Sequence, residues 1–219
     1  MINILHLFPN LMNLYGDYGN RVVLTRYLRS AGVGVTEILE DSFEFCLTDA
    51  HCILIGPGTE RAQERALELL QPHANLFAAS VEMEVPILLT GNASELPVKL
   101  GLYPFCISPA KDRITGDVIG VSKKFPKPVI GYFNHMAEMT GVLEPLFNNS
   151  LGPIKNEGYF EGNMLATYLI GPLLVRNPHI LRFFGQKVLE HAGLSHCGTI
   201  EPIAEAAYEK TLQNLQKRL

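Results

Sequence analysis

The stretch Cys52-Ile53-Leu54-Ile55-Gly56-Pro57-Gly58-Thr59-Glu60-Arg61-Ala62-Gln63 changes periodicity in the middle. Its first four residues are a short apolar run of the kind that forms a strand. From Thr59 the pattern turns helical, with Ala62, Ala66, Leu67, Leu69 and Leu70 along one stripe and Glu60, Glu64, Arg65 and Glu68 toward solvent. Gly56-Pro57-Gly58 marks the turn between them. A strand that feeds an amphipathic helix through a glycine-rich turn is one half of a βαβ unit, and the neighbouring sequence repeats the arrangement.

Upstream, residues 2–8 read as a first strand that ends at Pro9. A turn-rich loop leads to Asn20, a residue able to cap the next helix. That helix would set Val22, Val23, Tyr27, Leu28 and Ala31 on one face and Arg21, Arg26 and Arg29 on the other, and Gly32 would stop it. Residues 34–39 read as a second strand. Downstream, the spacing predicts a helix over 75–83 and a strand over 86–89. The middle of the chain offers short strand candidates at 103–107, 118–121 and 128–134, with some antiparallel pairing expected at a sheet edge. A strand over 164–170, a helix after Asn177-Pro178 and an amphipathic helix over 202–219 complete the pattern. Alternation of strands and helices argues for an α/β class with a mainly parallel sheet.

With 219 residues, 47% hydrophobic and 18% charged, the chain can bury one core of ordinary size, and no repeat or linker divides it. We therefore expect a single domain over 1–219. Eighteen basic against 22 acidic residues give a net charge of -4, which supplies no field for holding nucleic acid or an anionic membrane. No apolar run approaches the roughly 20 residues of a bilayer-spanning helix, and the start lacks a basic leader, so membrane insertion is not expected and a cytoplasmic location is. Cys46, Cys52, Cys106 and Cys197 are scattered and lack metal-ligand spacing. They read as small, mostly buried apolar residues, Cys106 included, and no metal or cofactor is expected.

Ligands of an open parallel sheet bind at the carboxyl ends of its strands. Three of those ends carry unusual loops: Gly56-Pro57-Gly58-Thr59, Thr90-Gly91-Asn92-Ala93 and Ile170-Gly171-Pro172. Glycine there lets backbone N–H groups approach an anion or an oxyanion, although glycine after a strand also serves simply as a turn.

The combination of four ordered segments says more. Leu11-Met12-Asn13-Leu14-Tyr15-Gly16-Asp17-Tyr18-Gly19-Asn20, residues 55–63, Gly131-Tyr132-Phe133-Asn134-His135, and residues 166–178 resemble, in order and spacing, the cobyric-acid-synthase-type class I glutamine amidotransferases. Within that family the glutaminase subunits of lipid II isoglutaminyl synthase are the most similar branch. The resemblance implies a three-layer, flavodoxin-like α/β glutaminase that passes ammonia to a Mur-ligase-like, ATP-dependent synthetase. Such chemistry needs a cysteine on a tight turn after a central strand, a histidine base and a backbone oxyanion hole.

Two of those parts are missing. The register puts Gly91 at the nucleophile position, and Ile170 stands where the family reads Tyr-Leu-His-Gly-Pro. Thr90 and Ser94 offer hydroxyls nearby, but a hydroxyl needs a positioned base. Residues that the resemblance would assign to a glutamine pocket are Gly56, Gly58, Arg61, Gln63, Asn92, Arg113 and His135, while Thr59 stands where the family usually has glutamine. Arg113 could hold a carboxylate by a bidentate pair or be a solvated surface arginine, and His135 could contact a ligand or satisfy loop backbone groups. The expectation is a catalytically inactive relative retained for binding to a synthetase. The alternatives are an active glutamine-hydrolysing subunit with a displaced nucleophile, and a sensor for glutamine or another amino acid.

Overall fold

The computed structural model describes residues 1–42 and 47–219. Cys46 lies outside them. In chain order the first elements are β1 (Ile2–Leu7), α1 (Tyr18–Ser30), β2 (Val35–Glu40), β3 (Cys52–Ile55), α2 (Glu60–Leu70), α3 (Ala74–Glu82), β4 (Ile87–Thr90) and α4 (Leu96–Lys99). There follow β5 (Cys106–Val121), β6 (Val129–Thr140), β7 (Phe147–Leu151), β8 (Asn156–Glu157), β9 (Tyr159–Glu161) and β10 (Met164–Thr167). Three helices end the chain: α5 (Leu173–Arg176), α6 (Pro178–His191) and α7 (Pro202–Gln216).

The main sheet has the order β2-β1-β3-β4-β10-β9, parallel throughout except for the antiparallel edge strand β9. Successive side chains of a strand point to opposite faces, and the two cores follow this alternation. Ile2, Ile4, Cys52, Leu54, Leu88 and Leu165 pack against α1, α5 and α6, whereas Leu5, Leu7, Ile53, Ile55, Ile87 and Leu89 pack against α2, α3 and α4. The result is a three-layer α/β fold with a mainly parallel central sheet.

The middle of the chain departs from the sequence reading. In place of three short strands, β5 and β6 form a long hairpin that, with β7 and β8, makes a separate antiparallel sheet in the order β6-β5-β7-β8. Its register shifts between Pro109 and Ile114, and this irregularity disguised a continuous strand as separate pieces. Cys106, expected in the core, opens β5 and is exposed. The inner row of β6, including Val129 and Phe133, joins the α1 and α6 core, while α7 covers Ile119 and Ile130 on the outer face through Tyr208, Leu212 and Leu215.

Helix α1 also differs. Its buried residues are Asn20, Leu24, Thr25, Tyr27 and Leu28, and Val22 is exposed. Asn20 lies inside the first turn, where its Oδ1 accepts from the Leu174 N–H at 2.7 Å. The capping bond comes instead from Asn13, whose Oδ1 accepts from the Tyr18 N–H at 2.8 Å. No described helix is long and apolar enough to cross a membrane.

Asn177, fully buried, joins the two sheets' surroundings. Its Oδ1 accepts from Ile130 N–H at 2.8 Å, and its Nδ2 donates to the carbonyls of Ile130 and Leu173 at 2.8 and 2.9 Å. Asn177→Ala removes the side-chain partner of the Ile130 N–H and carbonyl, while the Leu173 carbonyl keeps its bond from the backbone N–H of residue 177, and is expected to cost about 3 kcal/mol of stability. A urea denaturation midpoint close to that of the parent protein would contradict this.

Candidate functional site

The carboxyl ends of β3 and β4 are joined by one side chain. Asn92 Oδ1 accepts from the Gly58 N–H at 2.9 Å, and Asn92 Nδ2 donates to the Gly58 carbonyl at 3.0 Å. Thr59 then caps α2, its Oγ1 accepting from the Ala62 N–H at 3.1 Å, as its position before the helical run predicts. The Gly58 N–H, which sequence reasoning offered to an anion or oxyanion, is thus already taken by a neutral amide oxygen.

Gly91 follows β4 with φ +57 and begins a 3₁₀ turn that runs to Glu95. This is a sharp, left-handed strand-to-helix elbow of the kind that presents a nucleophile in hydrolases. The space beyond it is closed. A Cβ on Gly91 would stand 2.6 Å from Pro57 Cβ and 3.1 Å from Ile170 Cγ2, where ordinary contacts begin near 3.4 Å. Ile170 is itself fixed, because its N–H donates to the Tyr132 carbonyl at 3.0 Å and its side chain is buried. The two positions marked by the sequence comparison, 91 and 170, are therefore brought together, but as a packed apolar contact.

The hydroxyls near the elbow are committed. Ser94 Oγ donates to the Gly91 carbonyl at 2.8 Å. Thr90 Oγ1 donates to Asp17 Oδ1 at 2.7 Å, and the same oxygen accepts from Asn20 Nδ2 at 2.9 Å. A hydroxyl beside a carboxylate has the geometry of a nucleophile and its base. Both residues are buried, however, and neither lines the neighbouring cavity. Burial pushes the Asp17 carboxyl up to about 7, against the opposing effect of its bonds to Thr90 and Asn20.

That cavity has a volume of about 560 Å³ and lies over the ends of β3 and β4, between α2 and the β5–β6 hairpin. Of the residues singled out from sequence, Gly58, Gln63, Asn92, Arg113 and His135 line it. Gly56, Arg61, Gly91, Ile170, Thr90 and Ser94 do not. Gly56 is packed against Asp17 and Met12, and Arg61 is exposed on α2.

The floor is a network that sequence reading missed. Gln63 Nε2 donates to Glu95 Oε2 at 2.8 Å and to the Asn92 carbonyl at 2.6 Å, while Lys99 Nζ donates to Gln63 Oε1 at 2.6 Å. Lys99 also pairs with Glu95 at 2.9 Å, and Tyr168 OH donates to Glu95 Oε1 at 3.2 Å. The four-residue spacing of Glu95 and Lys99 was the one sequence signal for this pair. On the rim, Arg113 Nη2 meets Glu60 at 2.8 Å and Nη1 donates to Asn134 Oδ1 at 3.0 Å. Asn134 Nδ2 in turn donates to Tyr15 OH at 2.8 Å. His135 lies within β6 and stacks on Tyr168 with ring centroids 4.0 Å apart.

The fold is that of solved class I glutamine amidotransferases. A glutamine amidotransferase from Thermotoga maritima superposes with a TM-score of 0.56 at 13% identity, covering 95% of this chain and 89% of that one. The glutaminase domain of Trypanosoma brucei CTPS, solved with bound acivicin, gives 0.60 at 11% identity over 91% and 97%. In sequence the chain is homologous to the GatD subunit of lipid II isoglutaminyl synthase (glutamine-hydrolyzing) from Staphylococcus aureus, with 25% identity over 212 residues, or 88% of this chain and 86% of that protein. No family model matches the chain.

The Asp17 carboxyl gives a pH test. Its ordinary value is 3.8 and its folded value about 7, so between those limits the unfolded chain releases a proton that the folded chain keeps. Stability must therefore fall as pH rises through this window, by an amount on the order of 4 kcal/mol from this group. Asp17→Asn keeps an acceptor for Thr90 and is expected to flatten that fall, leaving the variant the more stable of the two at pH 8. Parallel stability curves for variant and parent from pH 5 to 8 would refute the assignment.

Proposed function

We propose that this protein is a glutamine amidotransferase-like subunit without glutaminase activity, retained as a non-catalytic partner of a Mur-ligase-like synthetase in cell-wall precursor amidation. The observation that carries the first half is the closed elbow: Pro57 and Ile170 fill the space into which a nucleophilic side chain at 91 would project. The engagement of the Gly58 N–H by Asn92 supports the same reading, since an oxyanion would have to displace that bond. The second half is carried over from the homologous GatD, which is named as a subunit of lipid II isoglutaminyl synthase.

A displaced nucleophile is disfavoured by access. Thr90 has a carboxylate partner but no route to the cavity, and Ser94 spends its proton on a backbone carbonyl. Purified protein, alone or with its synthetase, is expected to release glutamate from glutamine no faster than a buffer control. Gly91→Cys alone should leave that result unchanged and cost roughly 2 kcal/mol of stability through overpacking. Enzymatic release of glutamate by the parent protein would defeat the proposal, and capture of no synthetase from its own lysate would count against the partner role.

One observation favours a second reading, an amino-acid sensor. The cavity is open beside Arg113, and two of that side chain's five N–H groups are engaged, so donors remain for a ligand carboxylate. On this reading calorimetry shows saturable glutamine binding, weakened roughly tenfold or more by Arg113→Ala, as expected for loss of a charged hydrogen bond. Absence of heat with glutamine removes the reading and leaves the first one standing.

A further inference from the structure

Behind His135 lies a second cavity of about 340 Å³, between the far half of the β5–β6 hairpin and the segment holding β8. Ile114, Met139, Val142, Pro145 and Ile154 give it an apolar wall, and His135, Glu157 and Tyr168 close its inner end. It shares His135 and Ala137 with the first cavity but none of the Gln63, Glu95, Lys99 and Arg113 side chains.

The hydrogen-bonding state of the inner end can be worked out. His135 is 3% exposed, and its Nδ1 lies 2.8 Å from the Ala137 carbonyl oxygen. A carbonyl only accepts, so Nδ1 carries the proton, and burial holds the ring below its ordinary pKa and therefore neutral. Nε2 is then a lone pair, buried and without a partner among the described residues. It can only accept. Glu157, 5% exposed, takes a hydrogen bond on each oxygen, from Thr167 Oγ1 at 2.6 Å and from the Tyr168 N–H at 3.0 Å. Burial pushes the Glu157 carboxyl up to about 7, against the opposing bonds from Thr167 and Tyr168, and once ionised each oxygen keeps a second lone pair able to accept.

Charge agrees with this. Glu138 and Glu157 are the carboxyl groups of the lining, and no lysine or arginine side chain lines the cavity among the described residues. With Glu157 ionised, an apolar wall with an accepting, acidic inner end is complementary to a cation that carries several N–H donors on a short hydrocarbon tail.

We propose that this second cavity binds a small primary ammonium ion with an apolar tail, its N–H groups donating to His135 Nε2 and the Glu157 carboxylate. The site goes beyond the proposed function and does not rest on it.

The test uses the full chain with two probes of one shape, isoamylammonium chloride and isoamyl alcohol. Calorimetry is expected to show saturable binding of the ammonium, with the alcohol weaker by roughly tenfold or more. In parallel, the ammonium should shift the ¹⁵N resonance of His135 Nε2 in the parent protein, a readout that needs no variant. Glu157→Gln keeps partners for Thr167 and Tyr168 and should weaken the ammonium roughly tenfold or more. His135→Phe preserves an aromatic ring on Tyr168 while deleting the acceptor, and should also weaken the ammonium. Absence of saturation, equal affinity for the alcohol, an unmoved Nε2 resonance or unaltered binding by a folded Glu157→Gln variant would each overturn the site.

Discussion

The amide of Asn92 uses both its ends on the backbone of one residue, Gly58, and by doing so fixes the distance between the tips of β3 and β4. Everything around the candidate site is arranged on that distance. Pro57 is held over Gly91, α2 is set at the angle that brings Gln63 onto the Asn92 carbonyl, and the cavity floor is completed from α4 by Lys99. A neutral side chain that satisfies one donor and one acceptor of the same glycine leaves no orphaned backbone group, so the closed arrangement is at rest without any ligand.

The cavity's charges are likewise settled internally. Lys99 is balanced by Glu95 and Arg113 by Glu60. The two pairs differ in setting: Glu95 is almost wholly buried and hydrogen-bonded on both oxygens, whereas the Arg113 pair is solvent-exposed and worth little to stability. A ligand could recruit the second far more cheaply than the first. The floor therefore acts as scaffold and the rim as the adaptable part.

Much of the parallel half was legible in the sequence because each element there has a strong local signal. The run at 52–55, the acidic and apolar stripes of α2 and its threonine cap all point the same way, and the structure starts and ends these elements where the pattern does. The hairpin was not legible. Its strands carry Pro109, Gly116 and the polar run 111–113, and much of β5 is solvent-exposed, so alternation is weak and the irregular register breaks it further. Asn20 shows a different failure: its residue type suits a cap, but a partner 154 positions away claims its oxygen. The Gln63–Glu95–Lys99 network was hidden for a similar reason, since only the Glu95–Lys99 spacing is local.

Helix α7 covers the outer face of a hairpin some 80 residues earlier in the sequence. Tyr208 reaches the Pro128 carbonyl at 2.7 Å, Lys127 meets Glu209 at 2.7 Å, and Arg218 pairs with Asp117. Ile119 and Ile130 therefore find most of their apolar partners far along the sequence, so this face of the hairpin is shielded by long-range contacts that form only after a costly loop closure.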